Sequence, residues 1–118
     1  MNVLITGDRN LFSKSDFTAR LMQGLKDVGV KVESINQVVR TAYGGAELRA
    51  QEFADQYGIP VHQIRLPVGF GKKARFAAMN SAVVHSDIAV IFRPEAECEH
   101  VSHAIAAAAR EEIPYVLV

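Results

Sequence analysis

Among its 118 residues the chain has one cysteine, Cys98, and no tryptophan. A lone thiol cannot close an internal disulfide, and no Cys/His set has zinc-ligand spacing, so neither staple nor metal is expected to hold the fold. The compartment this predicts is a reducing cytoplasm. Net charge is lacking too, because 13 basic residues balance 13 acidic ones. Non-specific binding to nucleic acid or to anionic membrane needs a large basic excess, so the balance argues against both roles. No run approaches the ~20 apolar residues of a membrane-spanning helix. The apolar opening, Val3 to Ile5, passes at once into Thr6-Gly7-Asp8-Arg9-Asn10, so no secretory leader is expected. Repeats and low-complexity tracts are absent. What remains is a chain with 49% hydrophobic residues and the length of one domain, 1–118. That length suffices to bury about two thirds of the unfolded surface.

Strand and helix periods alternate along it. Asn2 to Thr6 is a β-rich run ending at Gly7. Ser13 or Ser15 caps a helix in which Phe17, Leu21, Leu25 and Val28 recur, closed by Gly29. Val30 to about Arg40 reads as a second strand. After Gly44-Gly45, one helical face carries Ala46, Ala50, Phe53, Ala54 and Tyr57. A third strand spans about Pro60 to Leu66, followed by the turn-rich Pro67 to Gly71. The third helix turns Phe76, Met79, Val83 and Val84 to one side. Ile88 to Phe92 is a fourth strand, about Glu97 to Glu112 a fourth helix with Val101, Ile105 and Ala108 inward, and Tyr115 to Val118 a last strand. The order β-α-β-α-β-α-β-α-β predicts a single α/β domain, Rossmann-like and doubly wound, with a mostly parallel five-stranded sheet and helices on both faces.

In such a sheet a ligand sits at the carboxyl ends of the strands, where the winding reverses. Gly7 permits a sharp turn and close backbone approach, Arg9 suits a phosphate, and Asp8 or Asn10 suits a ribose hydroxyl; a plain βα turn explains the same residues. A lone glycine is not the G-x-G-x-x-G dinucleotide fingerprint. Gly44 and Gly45 open the second helix, whose free amides attract an anion, with Glu47 in its first turn. The other reading makes the Gly-Gly pair a flexible connection and Glu47 a solvated acid. Lys72, Lys73 and Arg75 beside Gly69 and Gly71 fit either a phosphate cradle or a solvated basic face. Glu95, Glu97 and Glu99 repel phosphate and read as a helix cap. His100 and His103 share a helix face but lack a third metal ligand, His62 and His85 read as isolated, and Cys98 has no base partner. No cofactor is indicated.

Four segments in this order, Val3-Leu4-Ile5-Thr6-Gly7-Asp8-Arg9, Gly45-Ala46-Glu47, Gly71-Lys72-Lys73 and Ser86-Asp87-Ile88-Ala89-Val90-Ile91-Phe92, resemble the SLOG superfamily. That superfamily includes short stand-alone SLOG proteins, the Lonely Guy phosphoribohydrolases and nucleotide-sensing domains of some bacterial defence systems. The resemblance spans nearly the whole chain. It implies a Rossmann-like domain that binds a nucleotide or nucleotide-derived ligand in the crevice, often as a homodimer.

The chain departs from the family pattern at two loops. Short members carry Gly-Gly-Ala-Arg-Gly-Ala-Asp after the second strand, whereas this chain has Thr41-Ala42-Tyr43-Gly44-Gly45-Ala46-Glu47. Enzymatic members carry Pro-Gly-Gly-x-Gly-Thr-x-x-Glu after the fourth strand. Here Pro94 alone is kept, followed by Glu95-Ala96-Glu97-Cys98-Glu99-His100-Val101-Ser102, with Ser102 at the position of the catalytic glutamate. Arg75 resembles the arginine of the Lonely Guy Arg-Lys-x-x-Met stretch; in the other register Asn80 takes the asparagine of a short-member Arg-Asn pair. Three functions follow, in this order. The first is non-catalytic binding or sensing through Gly7, Asp8, Arg9, Gly44, Gly45, Glu47, Lys72, Arg75 and Asn80. The second is a protein-interaction module that lost its pocket. The third is an N-glycosidic hydrolase acting on nucleoside monophosphates through Arg75 and one of Glu95, Glu97 or Glu99.

Overall fold

A computed structural model describes residues 1–8, 14–42, 45–94 and 98–118. The apolar runs at the start of the chain and after Asp87 become β1 (Asn2–Gly7) and β4 (Ile88–Phe92). Both are buried on their two faces, as the central strands of a parallel sheet must be. Around them lie β2 (Gln37–Thr41), β3 (Val61–Ile64) and β5 (Tyr115–Leu117), in the order β3-β2-β1-β4-β5 with every pairing parallel. The connecting helices are α1 (Lys14–Asp27), α2 (Gly45–Tyr57), α3 (Ala74–Val84) and α4 (Glu99–Arg110).

Alternation along the strands decides which helix each residue meets. Val3 and Ile5 pack with Phe17, Leu21 and Leu25 of α1 and Ala50 and Phe53 of α2. Leu4 packs on the opposite face with Met79 and Val83 of α3 and Val101 and Ala104 of α4. The chain therefore winds from β1 out to β3 on one face and returns through β4 to β5 on the other. This is the doubly wound, Rossmann-like architecture, with its reversal between β1 and β4. Phe17 stacks on Phe92 with centroids 4.6 Å apart, fastening α1 over that reversal. Such a pair adds about 0.5–1.5 kcal/mol beyond its buried area.

Several boundaries differ from the sequence reading, each for a local reason. Residues Val32–Ser34 form a short 3-10 turn instead of strand. Ser34 donates its hydroxyl to the Lys31 carbonyl at 2.7 Å, and pairing with β1 begins only at Asn2↔Gln37, so the preceding residues have no strand beside them. β3 ends at Ile64, whose partner Thr41 is the last residue of β2. Val84 is 65% exposed rather than inward, because Val83 already fills the core position and the next residue is rotated by a helical step of about 100°. α4 stops at Arg110, and the left-handed φ of 57° at Glu112 turns the chain toward β5. The proposed caps Ser13 and Ser15 fall on a residue and a side chain outside those described. None of the described helices is long and apolar enough to cross a membrane.

Candidate functional site at the carboxyl edge of the sheet

Thr6 and Thr41 lie two residues beyond the register pair Leu4 and Val39, so the period of two turns both side chains to one side of the sheet. They are 0% and 1% exposed. At the same edge α2 begins, with Glu47 as its third residue, and α4 begins, with His100 as its second. All four side chains meet. Thr6 Oγ1 and Thr41 Oγ1 both donate to Glu47 Oε1, the latter at 3.2 Å. His100 Nε2 lies 2.9 Å from that oxygen and 3.0 Å from Thr6 Oγ1. Because Thr6 gives its proton to the carboxylate, its oxygen is an acceptor, and the pattern closes with the imidazole proton on Nε2.

Glu47 is 0% exposed and His100 2%. The reading of Glu47 as a solvated first-turn acid is therefore corrected: its side chain is buried at the carboxyl edge of the sheet, where three donors on two strands and a helix hold it. Its second oxygen, Oε2, is buried with no hydrogen-bond partner among the described residues. An unmet buried acceptor costs about 1–3 kcal/mol, more when charged, and folded interiors seldom leave one. One oxygen is thus saturated, and the other has no donor among the described residues.

The guanidinium of Arg40 lies close by and is 6% exposed. Its Nε donates to the Thr41 carbonyl at 3.0 Å and its Nη1 to Gln51 Oε1 at 3.4 Å. Burial pushes its pKa below the ordinary value, partly offset by the Glu47 charge.

Gly7 and Asp8 brace the winding reversal. A Cβ on Gly7 would stand 2.4 Å from the Phe92 carbonyl oxygen and 2.5 Å from its nitrogen, at a φ of +143°. The glycine is required by the closeness of β4. Asp8 is held through its main chain on both sides: its N–H donates to the Phe92 carbonyl at 3.0 Å, and its carbonyl accepts from Ala46 N–H at 3.1 Å. That second bond seats the start of α2, where Gly45 is buried, against the end of β1.

Gly7, Asp8, Gly45 and Glu47 are therefore gathered at one edge. Arg75 opens α3, with its guanidinium 5.1 Å above the Phe76 ring and 3.4 Å from Glu99 Oε2. The pair joins the first turns of α3 and α4. Asn80 is engaged elsewhere. Its Oδ1 accepts from His103 Nε2 at 3.0 Å and from Arg110 Nη2 at 2.8 Å, locking α3 to α4. Arg9, Gly44, Tyr43, Glu95 and Glu97 lie outside the described residues, as does the side chain of Lys72. Cys98 is half-buried and packs against the core under α3 and α4. No group of three or more His, Cys, Asp or Glu side chains gathers as a metal shell among the described residues.

Sequence reasoning missed Thr6, Thr41 and His100 as members of the site. A signal for each was present. His100 precedes Ala104 and Ala107 at i+4 and i+7, all on the buried stripe of α4, and the threonines occupy equivalent ends of adjacent parallel strands. Comparison of the chain with family models, curated proteins and solved structures returned no match.

Proposed function

We propose that the chain binds or senses a nucleotide or nucleotide-derived ligand, without transforming it, in a crevice of SLOG type. The observation that carries this reading is Glu47: an entirely buried carboxylate at the ligand-binding edge of a doubly wound sheet, with Oε1 committed to three donors and Oε2 to none among the described residues. A carboxylate at this edge of such folds suits a ribose hydroxyl. Arg75 supplies a cation for phosphate. Its pair with Glu99 is exposed on the acid's side, and ion pairs of that kind contribute only ~0–1 kcal/mol, so a phosphate competes with it readily.

Membership of the SLOG superfamily and a homodimeric state belong to the same proposal, resting on the four matching segments. The absence of turnover rests on the loop after β4, where the acidic run replaces the glycines a phosphate cradle needs. Thermal melting with nucleotides, cyclic nucleotides and ADP-ribose derivatives tests the reading. At ~100 times its dissociation constant a ligand adds about 2.7 kcal/mol, enough to raise the midpoint by several degrees. If no member of the panel moves it, the binding reading falls.

A second reading, contact with a protein partner, is favoured by the loop between β3 and α3. Leu66, Val68 and Phe70 there are 49%, 98% and 55% exposed, an apolar tip beside the crevice. Retention of a partner by wild type, and its loss with Val68→Asp and Phe70→Asp, would favour this reading over the first.

A further inference from the structure

At the amino edge of the sheet, away from the crevice, the imidazoles of His62 and His85 face one another. Their centroids are 5.0 Å apart and their planes cross at 83°. His62 stands on β3 in register with Val39, which belongs to the core beneath α3 and α4, so its side chain projects to that same side. His85 is the residue that ends α3. An edge strand and a helix terminus thus bring the two rings together at the surface, where His62 is half-buried and His85 exposed.

We propose that His62 and His85 form a binding site for a divalent transition-metal ion. His85 Nδ1 lies 2.8 Å from the Ser81 carbonyl oxygen. A carbonyl only accepts, so Nδ1 carries the proton and Nε2 keeps its lone pair. Imidazoles that bind metals are oriented in just this way by a backbone carbonyl on the other ring nitrogen. The ring spacing agrees with a shared ion. With metal–nitrogen bonds of about 2.0–2.1 Å, two imidazoles at a tetrahedral angle place their centroids about 5.2 Å apart, and at a right angle about 4.5 Å. The observed 5.0 Å lies between these, so with His85 held by its Ser81 bond, turning the His62 ring is the adjustment a shared ion requires.

The electrostatics also favour a cation. The carboxyl end of α3 is the negative pole of its dipole, and the exposed Asp87 follows two residues later, its Oδ2 accepting from Asn2 N–H at 2.7 Å. Since no third His, Cys, Asp or Glu joins the pair among the described residues, water completes the shell. Two imidazoles with water suit Ni²⁺, Cu²⁺ or Zn²⁺ and not the oxygen-seeking Mg²⁺ or Ca²⁺.

Calorimetric titration of the full chain with Ni²⁺ tests the site. The expected result is one saturable equivalent per chain, lost in His62→Gln and in His85→Gln, kept in His103→Gln, and not reproduced by Mg²⁺. A proton NMR titration of the wild type with Ni²⁺ needs no variant, and should broaden the imidazole signals of these two histidines first. Absence of saturable binding, binding that persists in both variants, or broadening that spares both rings would overturn the proposal.

Discussion

His100 Nε2 meets Glu47 Oε1 at 2.9 Å, joining the first turn of α4 to the first turn of α2 across the carboxyl edge of the sheet. The two helices lie on opposite faces and pack against different halves of the core. A buried hydrogen bond between them ties together the two halves of the winding.

Removing the acceptor should therefore be costly. Glu47→Ala removes the acceptor of three buried donors, and a buried hydrogen-bonding group left unsatisfied costs about 1–3 kcal/mol. Glu47→Gln keeps an acceptor oxygen and should cost less. Urea unfolding of the two variants, compared with wild type, measures both. Equal and small losses would mean that the network contributes little.

Gly7→Ala should be among the most damaging single changes in the chain. The added methyl carbon meets the Phe92 backbone at 2.4–2.5 Å, and the φ of +143° is strained for any other residue. Since both objections act together, a loss of about 3 kcal/mol or more is expected, read as a lowered urea midpoint or insoluble product. A variant as stable as wild type would contradict the close packing of β1 on β4.

Acidification should weaken the α3–α4 contact. Burial, together with the nearby Arg110 charge, holds His103 below its ordinary value of 6.5, against a raising contribution from its bond to the Phe76 carbonyl. A depressed pKa means that the unfolded chain takes up the proton first, so the contribution of His103 is complete above pH 6.5 and is lost as pH falls through the folded value. Unfolding free energies between pH 7.5 and pH 5 should fall in wild type and fall less in His103→Gln. Parallel slopes would assign the dependence to other groups.

Glu99→Gln should leave stability nearly unchanged while strengthening the binding of an anionic ligand. The carboxylate is mostly exposed and holds Arg75 at 3.4 Å, and pairs of this kind are worth at most about 1 kcal/mol. Freeing Arg75 of that partner raises the positive potential at the crevice mouth. Weaker binding of a phosphate-bearing ligand by this variant would place phosphate elsewhere.

The fold was legible because burial on two faces leaves a mark that local context does not blur. Val3 to Ile5 and Ile88 to Phe92 are continuous apolar runs, and the helical stripes through Phe17, Leu21 and Leu25, or Met79 and Val83, repeat at the right interval. Boundaries set by neighbouring strands were not legible: residues 32–34 turn because β1 does not reach them, a fact stored in the register and not in their own sequence. The candidate site was half legible. Glycines announce sharp turns, so Gly7 and Gly45 stood out. Glu47 is a candidate binding residue in the sequence, yet a solvated first-turn acid explains it equally there, and its burial depends on Thr6, Thr41 and His100, residues 41, 6 and 53 positions away. Asn80, a candidate ligand contact in the sequence, has its carboxamide oxygen bonded to His103 and Arg110 of α4.

Backbone amide NMR of the labelled chain, titrated with the nucleotide or ADP-ribose derivative that most raises its melting midpoint, reads out whether the ligand meets the Glu47 network. Shifts are expected to concentrate at Thr6, Thr41, Glu47 and His100, and Glu47→Gln to weaken the ligand at least tenfold. Shifts confined to Leu66, Val68 and Phe70, or an affinity unaltered in Glu47→Gln, would contradict binding at that network.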